Sequence, residues 1–192
     1  ICNFFDQVIS MKSKDFPDLR SREKTYKIDI YLSDIKKFLT SKLPIPDRDN
    51  INSGANIIEK GKIVIYREEE WEKILVHEMI HYVNWHIFTI RKSLLYPFKD
   101  INTKSLISPN EGYTEFLALI LYYYIEKKSN IEKLEAILTM EMAWGFIQSA
   151  KILKYKGFNS YGELFSGKEY SQNSFLLSYF ILKTYFLYKP SY

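Results

Sequence analysis

Between Lys62 and Phe88 the apolar residues of the chain change their spacing, and that change limits the folds open to it. KIVIYR (62–67) alternates in the manner of a half-buried strand, and NIIEKGKIVIYR (56–67) reads as a hairpin turning at Lys60-Gly61. From Glu68 the period becomes helical, with Trp71, Ile74, Leu75, Met79 and Val83 marking one apolar side to about Phe88.

The rest of the chain extends that arrangement. TYKIDIYL (25–32) is a further strand, and SDIKKFLTSKL (33–43) is expected to be a short helix capped at its start. PIPDRDNINSG (44–54) reads as loop, and residues 91–109, with two prolines and no period, as a long connection. Helices follow: one capped by Asn110 and running through EGYTEFLALILYYYIEKK, one over about Asn130 to Lys156 ended by Gly157, and one over about Ser171 to Tyr188 ended before Pro190. Strands first and helices later describe an α+β chain with a mostly helical C-terminal half. At 192 residues it has the length of one domain, expected here as an N-terminal lobe of about 1–90 and a helical lobe of about 91–192.

Composition removes several classes of function. The 27 basic and 23 acidic side chains are interspersed and leave a net charge of only +4, so nucleic-acid binding is not indicated. The most apolar stretches, 116–125 and 174–188, are too short to be spanning helices, and no membrane span is expected. A single cysteine, Cys2, rules out both a disulfide framework and a cysteine-rich metal site, so any metal must be held by His and carboxylate. A chain that opens on Ile1, with neither a methionine nor a basic-then-apolar leader, reads as a processed product or a piece of a longer protein, and its localisation stays open.

All three histidines lie in ILVHEMIHYVNWH (74–86). His77 and His81 are one i,i+4 step apart, so on a helix they are rotated by about 40° and offset by about 6 Å, and their rings converge outside one face. Zinc bonded to imidazole nitrogen at roughly 2.0–2.1 Å fits that point. Glu78, one residue on, lies beside the metal without binding it and is placed to take a proton from water. At the frequencies of His and Glu in this chain, an accidental HExxH is expected roughly 0.004 times, so chance explains it poorly. The plain alternative is a helix whose histidines are satisfied by ordinary hydrogen bonds. His86, rotated about 140° from His81, points away from the metal face and reads as structural.

A third ligand must come from elsewhere, and PNEGYTEF (109–116) offers carboxylates. Glu111 falls in the first turn of a new helix and Glu115 one i+4 step later on the same face. The first is suited to bind zinc, and the second to accept the free ring N–H of a ligand histidine. Both would equally serve as favourable charges near a helix N-terminus.

HEMIH followed by NEGYTE resembles the gluzincin clan of zinc metallopeptidases, whose third ligand is the Glu of an E-x-x-x-D/E motif on the next helix. The resemblance implies a zincin-like α+β fold, one Zn²⁺ held by His77, His81 and Glu111, and Glu78 as general base. The HE-x-x-HY start and the 29 residues between His81 and Glu111 are similar to the bacterial collagenase type. GAN-IIEKGKIVIYRE (54–68) is similar to the GAMEN-to-YRE edge strand of gluzincin aminopeptidases, but the Glu that grips a substrate amine is missing. The resemblance covers about residues 54–120, with a further stretch at about 161–180.

These features predict a zinc metallopeptidase acting on a peptide or protein substrate. Without the amine-gripping Glu, endopeptidase action is favoured, with the substrate extended along the edge of KIVIYR; Glu59 and Glu68 are alternative partners for a substrate amine, so aminopeptidase action stays open. Zincins add a donor for the oxyanion, and the candidates here are Tyr170 and Tyr179 in YSQNSFLLSY (170–179), each also suited to a place in the core. The competing expectation is a zinc-stabilised or inactive zincin-fold protein with a binding or structural role, in which Glu78 would have no chemical task.

Overall fold

The computed structural model describes residues 3, 5, 26–37, 51–83, 85, 98–103, 107–126, 130–172 and 174–189. It is α+β, a small three-stranded sheet followed by helices, and it divides into two compact units. The first comprises Ile1–Lys36 and Ser53–Phe88; the second comprises Lys37–Asn52 and Thr89–Tyr192.

In the first unit β1 (Lys27–Ser33), β2 (Gly54–Ile57) and β3 (Lys62–Arg67) form a sheet in the order β1-β3-β2. β2 and β3 make the expected hairpin, antiparallel with Gly54 opposite Ile65 and Ile57 opposite Lys62. β1 pairs with β3 in parallel, Lys27 opposite Lys62 and Ile30 opposite Ile65. KIVIYR is therefore the central strand, hydrogen-bonded on both sides, and not the edge expected from its sequence. Its edges are occupied because β1, distant in sequence, supplies the second neighbour.

Strand alternation buries Ile63 and Ile65 completely, and helix α1 (Trp71–Tyr82) packs on β2 and β3 with Val76, Met79 and Ile80 at 0% exposure. Each such side chain contributes about 1.5–3 kcal/mol on burial. Gly54 permits the approach: a Cβ there would stand 2.8 Å from Ile74 Cγ2 and 3.1 Å from the Val64 carbonyl oxygen. The helix expected from Ser33 does not begin there. Ser33 ends β1, its hydroxyl donating to Tyr66 O at 2.5 Å and its carbonyl accepting from Glu68 N at 2.9 Å, so it is committed to the sheet. Residues 34–37 have no regular structure, and 38–43 lie outside the described residues.

The second unit is helical: α2 (Pro109–Glu126), α3 (Ile131–Tyr155), a π-helical stretch (Leu177–Leu182) and α4 (Lys183–Tyr188), with a short 3₁₀ turn at Tyr161–Phe165. Its core gathers Leu119, Phe158, Leu164, Tyr170, Leu177 and Leu182. Ile51 packs here with Ile152 and Leu176, which is why a segment from the N-terminal half belongs to this unit.

Asn130 caps α3 as expected, its side chain accepting from Lys133 N at 3.0 Å. Asn110 does not cap α2, because the helix already begins at Pro109. Ser108 takes that role, its Oγ accepting from Glu111 N at 3.3 Å, with Pro109 in the first helical position, where no N–H is needed. The last helical segment starts at Leu177, not Ser171, because the Gln172 side chain accepts from Leu177 N at 3.0 Å and so fixes the entry. None of the helices among the described residues is long and apolar enough to cross a membrane.

Candidate functional site

The turn from β3 into α1 is tight. Glu70, at the N-cap, takes a left-handed conformation with φ 59°, which few non-glycine residues adopt. Its carboxylate holds the nearly buried Lys73 ammonium at 3.0 Å, one turn on. This reversal sends α1 back over the sheet.

Along α1 the i,i+4 step brings the two imidazoles together, with His77 Nε2 and His81 Nε2 3.1 Å apart. The ring centroids are 4.8 Å apart and the planes inclined at 65°. Two nitrogens each about 2.0–2.1 Å from one tetrahedral ion would be separated by about 3.3 Å. The observed 3.1 Å is close to that and is equally the length of a hydrogen bond between the two rings, so the geometry fits a shared metal and also fits histidines that satisfy each other.

His77 is 5% exposed and Glu78 8%, so a carboxylate and an imidazole sit together in a mostly dry environment. β2 secures this turn of the helix: Asn56 Nδ2 donates to the Glu78 carbonyl at 3.2 Å. The other end of that amide, Asn56 Oδ1, is buried and has no hydrogen-bond partner among the described residues.

In the helical unit Glu111 occupies the first turn of α2, partly exposed, and Glu115 follows one i+4 step later, 7% exposed. Between them Gly112 brings α2 against the π-helical stretch, since a Cβ there would stand 2.6 Å from Leu182 Cβ and 3.0 Å from Ser178 O. The Ser178 hydroxyl ties the same stretch to Ser108 O at 2.7 Å. The NEGYTE segment is thus held at its start by both a cap and a close helix contact. Among the described residues, His77, His81 and Glu111 make up a His/carboxylate donor set able to hold a metal ion.

Tyr170 lies in the core of the helical unit at 0% exposure, its ring near Phe158 and its hydroxyl without a hydrogen-bond partner among the described residues. Burial raises its pKa well above that of a free phenol. Tyr179 is partly buried in the π-helical stretch, against the Ile51, Ile152 and Leu176 cluster and edge-on to Phe175. His86 lies outside the described residues.

Reading by motif passed over Asn56, Ser108 and Gly112. For Ser108 the signal was present, as Ser-Pro ahead of an acidic first turn marks a cap with Pro at the first helical position. For Asn56 and Gly112 it was not, since their roles depend on contacts distant in sequence.

No family model matches the chain, and no solved structure matches it. It is similar to an uncharacterised protein, R210, of Acanthamoeba polyphaga mimivirus, 35% identical over an alignment of 128 residues, with 60% of this chain and 32% of the relative covered. The chain thus spans about a third of the length of the curated relative it matches.

Proposed function

We propose that this chain is a zinc-dependent peptidase of zincin-like fold. The observation that carries the reading is the convergence of His77 Nε2 and His81 Nε2 to 3.1 Å beside the buried Glu78. His77 and His81 hold the ion, with Glu111 as the third protein ligand; two imidazoles and one carboxylate are a recurring donor set of catalytic zinc, which leaves a position for water. When bound, zinc supplies Lewis-acid polarisation of the scissile carbonyl.

Glu78 takes the proton of the attacking water and returns it to the leaving amine, a role its position next to His77 supports. The Asn56 bond to the Glu78 carbonyl steadies that turn of the helix. Glu115 accepts the free ring N–H of a ligand histidine and fixes its tautomer. Tyr170 is enclosed by core side chains, so Tyr179 is the tyrosine retained as donor to the developing oxyanion. Because β3 is central, the strand edge offered to an extended peptide is that of β2, which also packs on α1.

Metal analysis and digestion of a broad peptide library test this. Glu78→Gln retains stoichiometric zinc and loses about 10²- to 10⁴-fold in kcat, because an amide cannot accept the water proton. Glu111→Ala loses zinc. If Glu78→Gln strips the metal while Glu111→Ala keeps it, the ligand assignment is wrong. Stoichiometric zinc with no cleavage of any peptide would replace the enzyme by the structural reading. One peptide offered with a free and with an acetylated N-terminus separates the modes of action, and release of single residues from the free form alone would overturn endopeptidase action.

A further inference from the structure

The helical unit carries a half-open pocket of about 860 Å³, none of whose lining residues belongs to the proposed catalytic set. It lies among the second half of α3, the segment after it and α4. Its inner wall is apolar, with Leu153, Phe158 and Ile181 each at 5% exposure or less. Six lining residues carry hydroxyls; those of Ser149 and Thr184 donate to Phe180 O, at 3.3 and 2.6 Å, and the others belong to Ser160, Tyr161, Tyr185 and Tyr188. The amide of Asn159 is likewise engaged, donating to Glu163 at 3.3 Å.

The charged side chains of the lining are Lys154 and Lys189, both exposed, and none of the lining residues is Asp or Glu. At the rim Phe146 and Tyr188 stack edge-on at 5.9 Å and are half-exposed, extending the apolar wall to solvent. A volume within about 300–1,000 Å³, apolar walls and a few placed polar groups describe a small-molecule site. An apolar interior whose own lining carries two cations and no carboxylate selects a ligand with an apolar body and one negative end.

We propose that this cavity binds a free long-chain fatty acid, its tail against Leu153, Phe158 and Ile181 and its carboxylate at Lys154 and Lys189. The charge pattern supplies the orientation and the apolar wall most of the affinity. Nothing in the site depends on the zinc ligands, so the proposal stands or falls apart from the peptidase reading.

Calorimetric titration of the full chain with oleate below its micelle concentration tests it, in buffer with and without a zinc chelator. Oleyl alcohol and phosphatidylglycerol vesicles serve as comparison probes. The expected result is saturable binding of one oleate per chain, unchanged by chelation and at least tenfold weaker for oleyl alcohol. Lys154→Glu with Lys189→Glu, at two exposed positions, weakens oleate at least tenfold while the thermal melt is kept. Ala150→Trp, which fills the cavity from an exposed position on α3, abolishes binding. Uptake of several oleates without saturation overturns the proposal. So does equal affinity for the alcohol, preference for the vesicles over free oleate, or a folded Lys154→Glu/Lys189→Glu variant that binds as the original does.

Discussion

Replacing Gly112 by Ala in a free helix would raise stability, because Ala is preferred to Gly in a helix interior by about 1 kcal/mol. The contact between α2 and the π-helical stretch reverses that sign. The new Cβ would stand 2.6 Å from Leu182 Cβ and 3.0 Å from Ser178 O, whereas nonbonded carbons normally sit about 3.5–4.0 Å apart, so about 1 Å must be opened. Neither obstacle is the tip of a flexible side chain. Leu182 is fully buried and Ser178 is tied to Ser108 O, so the backbone itself has to shift. Overpacking of this kind costs about 1–3 kcal/mol, and with backbone contacts the upper half of that range applies. After the propensity gain, the net loss is about 1–2 kcal/mol, a fall in Tm of about 2–8 °C for a chain of this length. Circular-dichroism melts of Gly112→Ala measure it, with Gly162→Ala as control, since a Cβ at 162 meets nothing closer than 3.8 Å. The control should stay within about 0.5 kcal/mol of the original. A Gly112→Ala protein as stable as the original, or more so, would refute the close contact and with it the account of how Glu111 and Glu115 are held.

Glu115→Ala should weaken zinc binding by about 10- to 100-fold without abolishing it, as measured by competition with a chelator of known affinity; full affinity would remove Glu115 from the proposed site. Asn130→Ala should cost about 1 kcal/mol in urea denaturation, because the Lys133 N–H loses its cap. The Asp29 carboxylate is held below its ordinary range by Lys62 at 2.5 Å, with burial opposing and Lys27 adding to the effect. Its contribution to stability is therefore present above about pH 4 and is lost as pH falls through the lowered folded value. Lys62 is raised by the same pair, so that contribution persists until alkaline pH. Melts of Asp29→Asn against the original should differ at pH 7 and converge in strong acid, and a difference that widened in acid would contradict this ion pair.

What the sequence by itself determined were the features written in local spacing. The alternation of KIVIYR, the turn before it and the cap at Asn130 depend on neighbours within a few residues and are found in the structure; so is the helix read from Glu68, although it begins at Trp71. The approach of the His77 and His81 rings belongs to the same class, since an i,i+4 step on a helix has one geometry. Tertiary structure decided what depends on partners far along the chain. β1 comes back parallel to β3 and makes KIVIYR central, which no period-2 pattern can reveal because pairing on a strand's second edge leaves its side-chain alternation unchanged. Ser33 looked like a cap until Tyr66 and Glu68 claimed its hydroxyl and carbonyl for the sheet. Tyr170 carries a hydroxyl that chemistry could use, yet it packs beside Phe158 in the core of the helical unit, and burial there withdrew it from solvent. Gly112 is silent in sequence because a missing Cβ announces nothing until another backbone arrives to occupy its place.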